Sequence, residues 1–309
     1  MSKTLHITNG DSINNRISAL QLEGDFLVWR EMLCEGPTKI AIESTESIET
    51  RKKFLKSYYK IQPERYERRF LAELKKLDNT GQYKCIVLWF EFDLFCHINM
   101  TAAISYLLRK HTNIPIYLVC GGKTKNESQV TGLVQLNDKQ LIQLYKNKVL
   151  LEEDDLLLAK DIWTIYCEKD PMKIISKIKQ VSAFPYLSSC LRAHVQRFPN
   201  MRTGLNVFEQ NILELVDKYH IKNTKQLIGY ILEYQGYYGY NDMQIKRTIG
   251  KLLQFFELTP EQLKLSYKGT QVLQKERNFY NNMVVSWNYG GVQKYDYLYN
   301  SNDHKLLKL

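Results

Sequence analysis

The chain has little that would mark it as a secreted, metal-stapled or membrane-spanning protein. Its 309 residues include only six cysteines, at positions 34, 85, 96, 120, 167 and 190, and none form a C-x-x-C pair. That spacing excludes the usual zinc ligand pattern, and a disulfide framework does not suit a chain of this size and composition. No apolar run approaches the roughly 20 residues of a membrane-spanning helix, and the opening MSKTLHITNGD lacks the apolar core of a signal peptide. The expectation is a cytoplasmic protein with no membrane partner. Neither G-x-G-x-x-G nor G-x-x-x-x-G-K-S/T follows a strand, so the common dinucleotide fingerprint and the Walker loop are both missing. Serine-hydrolase elbows and H-E-x-x-H are absent too. There is no internal repeat.

What is present is a composition fit for a large core, 44% hydrophobic and 25% charged, at a length that suits two domains or one with appendages. The net charge of +10 is unevenly placed. Residues 51–76 hold ten Lys/Arg against three Asp/Glu, whereas 204–309 hold thirteen against ten. The basic stripe reads as a solvated helical face with Tyr66, Phe70, Leu74 and Leu77 turned inward, or as an electrostatic accessory for an anionic partner.

Thr4–Thr8, Asp25–Trp29, Cys85–Phe90 and Pro115–Cys120 read as strands, the last two as nearly continuous apolar runs buried on both faces. Helical patterns separate them, which implies parallel pairing with right-handed crossovers. Ser12 is the expected cap of a helix over 13–20. The predicted fold is α/β: a three-layer, mostly parallel sheet in a Rossmann-like domain over 1–136. A helical connector without a clear strand follows over 137–203, then a winged-helix-like module over 204–275 and a β-hairpin tail over 276–309.

Three polar clusters stand where strands would end: His6 to Ser12, Trp29 to Pro37 and Leu88 to Asp93. Ligands of open parallel sheets sit beyond the carboxyl ends of the strands, so these loops localise a candidate site. Asn9, Gly10 and Ser12 offer backbone amides at a helix start, and Arg30 offers a planar grip on a carboxylate or phosphate. Glu35 is placed to orient Arg30. Asp11, Glu91 and Asp93 are the candidate catalytic carboxylates, suited to proton exchange or to a divalent cation such as Mg²⁺. Each has a bland counterpart: an ion pair between loops, or a helix cap. His6 and His97 read as structural histidines, and Cys120 as a buried thiol. On the third helix of the C-terminal module, Lys246, Arg247 and Lys251 sit where a nucleic-acid reader would place its contacts.

The clusters resemble an uncharacterised bacterial family known only as a domain of unknown function, with the pattern H-I-x-N-G-D-S, W-R-x-x-L-x-E-G-P and L-W-F-E-x-D. The likeness continues at Arg197-Phe198-Pro199, at Gly204-Leu205-Asn206 with Glu209, and at Lys268-Gly269, and more loosely at Gly290-Gly291. Cys96, His97 and Asn99 depart from it, standing where such proteins often carry an acid and glutamines. The resemblance implies no reaction. The sequence alone supports an enzyme or ligand-binding protein for a small anionic, phosphorylated or nucleotide-like molecule. The alternatives are a nucleic-acid-binding regulator and an adaptor for a peptide or protein partner.

Overall fold

Alternation along two strands builds the core. A computed structural model describes residues 3–123 and 130–309. On β1 (Lys3–Thr8), Leu5 and Ile7 enter one apolar core, while His6 turns to the opposite face and stacks on Phe26. The helix α1 (Asp11–Ser18) and the strand β2 (Asp25–Val28) follow, then the two-residue strand β3 (Gly36–Pro37) and the helix α2 (Thr45–Tyr59). A further helix runs over 63–74 as α3 (Pro63–Tyr66), a π-helical turn at Glu67–Leu71 and α4 (Ala72–Leu74). On β4 (Tyr83–Phe90), Cys85, Val87 and Trp89 face one core, and Ile86, Leu88 and Phe90 the other. A strand read as apolar throughout is therefore buried on both faces, as in a sheet sandwiched between helices.

After α5 (Leu94–Arg109) comes β5 (Ile116–Cys120), and then β6 (Gly122–Lys123) pairs with β7 (Val130–Thr131). The helix α6 (Asp138–Lys146) leads to β8 (Val149–Leu150), α7 (Glu153–Cys167) and α8 (Leu187–Val195). The main sheet has the order β2-β1-β4-β5-β8, with β2, β1, β4 and β5 mutually parallel and β8 antiparallel at the edge. The α/β expectation holds. The strandless connector does not: β8 pairs Tyr117 with Leu150. Ile13 and Ile17 of α1 and Leu141 of α6 cover one face of the sheet, while α5 and α7 contribute to the larger core on the other.

In the C-terminal third, α9 (Val207–Lys218), α10 (Thr224–Tyr234) and α11 (Asp242–Leu252) precede an antiparallel pair, β9 (Phe256–Leu258) with β10 (Leu263–Leu265), and then α12 (Tyr267–Leu273). The cap residues Asn206, Asn223 and Asn241 each accept a backbone N–H of the following first turn. The tail carries α13 (Tyr280–Met283), and β11 (Asn288–Gly290) with β12 (Val292–Gln293) forms a hairpin around Gly290-Gly291, within the hairpin tail expected over 276–309. A second hairpin joins β13 (Tyr297–Asn300) to β14 (Lys305–Lys308). Unforeseen is the parallel pairing of β11 with β3, Tyr289 opposite Gly36 and Gly290 opposite Pro37. The module also reaches α5, whose first N–H groups at Leu94 and Phe95 donate to the carbonyls of Tyr237 and Tyr238. No helix among the described residues is long and apolar enough to cross a membrane.

Candidate functional site

The strand order reverses between β1 and β4, which in an open sheet marks the usual ligand crevice. Here side chains fill it. Asn9 donates to Cys96 Sγ at 2.9 Å, and Asn99 donates to Asn9 Oδ1 at 2.9 Å and to the Glu31 carbonyl at 2.7 Å. Asn9 is thus a buried brace rather than a ligand contact, and Cys96 and Asn99 of α5 are what close the crevice.

Open space is found one strand further along, over the ends of β1 and β2. A cavity of about 320 Å³ is bounded by Gly10, Asp11 and Arg30, by residues of the π-helical segment, and by Asn241 and Met243 of the C-terminal module. Its wall is aromatic, with Trp29, Tyr59, Tyr66, Phe70 and Phe95. Its charge is basic. Arg30 Nε donates to Asp11 Oδ1 at 2.8 Å, and Arg69 pairs with Asp11 Oδ2. Burial pulls the Asp11 carboxyl upward, but Arg30 and Arg69 outweigh it and hold the group below its ordinary range. Arg30 Nη1 is taken by the Arg69 carbonyl at 3.1 Å and by Glu73 at 3.5 Å, and Nη2 has no hydrogen bond or ion pair among the described residues. Arg65 and Lys60 add two exposed cations at the rim. Trp29 is fully buried, and its indole N–H has no hydrogen-bond partner among the described residues.

Local sequence explains the placement. Gly10 takes φ of 93°, a conformation that L side chains rarely adopt, and so turns the chain from β1 into α1. The helix starts at Asp11 rather than after Ser12, and no side chain caps it, so its first amide groups stay available beside Gly10. Ser12 is exposed and does not line the cavity. The π-helical turn inserts a residue that rotates Arg69 and Phe70 to the cavity side, a device common at functional sites.

Other expected contacts lie elsewhere. Glu35 does not orient Arg30; it accepts from Arg247 Nη2 at 2.7 Å and from the Tyr59 hydroxyl. The partner of the buried Glu31 is Arg51, which donates to both carboxylate oxygens at 2.9 and 2.8 Å. Glu91 and Asp93 do not join Asp11. Glu91 Oε1 accepts from the Leu133 amide at 2.7 Å, Oε2 has no hydrogen-bond partner among the described residues, and burial, then repulsion from Asp93, pushes its carboxyl up to about 8. Asp93 caps α5 through the Cys96 amide at 2.8 Å, and burial pushes it up to about 6. Among the described residues no group of three or more His, Cys, Asp or Glu is arranged to hold a metal ion, and the three expected carboxylates do not assemble for Mg²⁺. His6 accepts from the Trp89 indole at 3.1 Å, and burial lowers its imidazole to about 4. The supposed nucleic-acid contacts are likewise dispersed. Lys246 is exposed, but Arg247 turns inward to Glu35, and Arg247 and Lys251 both lie over the Trp287 ring.

No family model and no curated protein matches the chain. Among solved structures it is similar to the DNA-binding, cleavage and re-ligation domain of Plasmodium falciparum topoisomerase II, with a TM-score of 0.44 and 13% identity. The match covers 81% of this chain and 42% of that one. At that score the likeness carries no argument about fold or activity.

Sequence reasoning missed Arg69, Trp29, Phe70 and the two tyrosines of the cavity. Signals existed for Trp29, which precedes Arg30, and for Arg69 and Phe70 inside the basic stripe. Tyr66, Phe70, Leu74 and Leu77 are buried as that stripe's helical spacing predicts.

Proposed function

We propose that the chain binds a small anionic molecule with an apolar, ring-bearing part, of the nucleotide-like class, in the cavity at the start of α1. One observation carries this reading: a carboxylate shared by two arginines lies at an uncapped helix start, facing an aromatic wall. The ligand anion would take the free Arg30 Nη2 and the first amides of α1, favoured by the helix dipole. The Trp29 indole N–H and the aromatic wall would suit the remainder. Binding is favoured over catalysis because Glu91 and Asp93 stand outside the cavity. We also infer membership of the uncharacterised family named by its motifs, several of whose residues (Glu35, Arg197, Asn206, Glu209) are buried and serve packing.

The test is calorimetric titration of the full chain with a panel of phosphorylated and carboxylated metabolites, repeated with Arg30→Ala and Arg69→Ala. A charge-assisted hydrogen bond is worth about 1.5–3 kcal/mol, so each variant should bind roughly ten- to a hundredfold more weakly while keeping a cooperative melt. Unchanged affinity in Arg30→Ala, or no binding across the panel, would overturn the proposal. Loss of the cooperative melt would make Arg30 a brace.

A further inference from the structure

A second charged interior lies apart from that cavity, where the Glu35-Gly36-Pro37 segment, α9, α11 and the tail converge. Two of its ion pairs are complete: Arg247 with Glu35 at 2.7 Å, and Lys294 with Glu209 at 2.9 Å. Glu35, Glu209 and Lys294 are all buried. One cation is left over. Lys251 stands 4.9 Å above the Trp287 ring, which also carries Arg247 at 3.8 Å, and its Nζ has no hydrogen bond or ion pair among the described residues. Three cations and two carboxylates thus surround a cavity of about 10 Å³. The phenols of Tyr240 and Tyr289 also face it, and burial holds both in the neutral form, so neither balances the extra charge.

We propose that this cavity is a site for one small monovalent anion of the halide class, held by Lys251, Lys294 and Arg247 and taken up together with a proton on Lys251. The volume is about that of one water, so a halide seats as the half-buried Lys251 side chain shifts outward, whereas phosphate and most carboxylates are too large. A weakly hydrated spherical ion also tolerates the indole wall better than an oxyanion that needs several donors. Lys251 is only half-buried, which supplies the entry route. The proton coupling follows from the surroundings. Burial first, then the positive charges of Lys294 and Arg247, lowers the Lys251 amine to about 7, against the opposing pull of Glu209 and Glu35. The site binds only in its protonated form, so its apparent affinity should fall about tenfold between pH 6 and pH 8.

Crystals of the full chain soaked in sodium bromide at pH 6 should show an anomalous peak within hydrogen-bond reach of Lys251 and Lys294, weaker at pH 8. In solution, replacing gluconate by bromide at constant ionic strength should raise the melting temperature at pH 6, less at pH 8, and not at all in Lys251→Met. That variant strands no partner, since Nζ makes no bond; should it fail to fold, the wild-type bromide peak at the two pH values decides alone. Water or no density at that position at pH 6, a peak that survives in Lys251→Met, or the same halide response in both proteins would overturn the proposal.

Discussion

Arg51→Met should be among the most damaging single changes in this protein, although position 51 opens the stretch that reads as a solvated basic face. The Arg51 and Glu31 side chains are 1% and 0% exposed. The guanidinium holds both Glu31 oxygens and also donates to the carbonyls of Glu35 at 2.7 Å and Met32 at 3.1 Å. Removing one partner of a buried pair costs about 3–5 kcal/mol, because the remaining charge has neither water nor a counter-ion. Against a total stability on the order of 5–15 kcal/mol, that loss is a large fraction. The carboxylate keeps the Met32 amide at 2.6 Å and the Tyr66 hydroxyl as donors, which places the expectation near the lower end, about 3 kcal/mol. Urea unfolding with an unchanged m-value measures it. The companion double variant, Glu31→Leu with Arg51→Met, removes both charges and should be more stable than Arg51→Met alone. A cost below about 1 kcal/mol for Arg51→Met, or strictly additive losses in the double variant, would refute the reasoning.

Further outcomes are equally direct. The Glu91 carboxyl is raised in the folded state to about 8 from an ordinary 4.5, so its stabilising contribution is complete below pH 4.5 and is lost as pH rises through 8. Glu91→Gln should therefore flatten the decline in stability between pH 4.5 and pH 8, and parallel profiles for the two proteins would contradict the assignment. His6 and His97 are both lowered to about 4 by burial, so their ring proton shifts should stay at neutral-imidazole positions from pH 7 to pH 5 in NMR; a midpoint near 6.5 would argue against it. Gly290→Ala should destabilise far more than Gly10→Ala in thermal melts. Both have positive φ, but only at Gly290 would the new methyl meet the Tyr166 backbone, whereas at Gly10 it meets open space.

The parts of this fold legible in the sequence were those set by short-range pattern. The apolar runs of β4 and β5 announced strands buried on both faces, and the tail over 276–309 announced a hairpin. The edge strand β8 escaped because it is two residues long and largely exposed, so no apolar run marks it. Gly10, Asp11 and Arg30 meet as their positions at successive strand ends suggest. What stayed hidden depends on distance along the chain. Nothing near Glu35 signals a guanidinium 212 positions away, and a π-helical turn has no sequence signature that would rotate Arg69 toward Asp11. Glu91 and Asp93 misled for a related reason: alternation fixes the side of a strand, but not which loop comes down to cover it.

The pairing of β11 with β3 has a consequence for how this protein matures. Gly36-Pro37 is made long before its partner, since the ladder that seats it comes from residues 288–290. The strap carries Glu35, and Glu31 and Met32 just before it wall the cavity. An emerging chain can therefore assemble the sheet early, but the mouth of its pocket waits for residues 288–290. A fragment ending before Asn288 should thus fold its strands and yet leave the pocket wall slack.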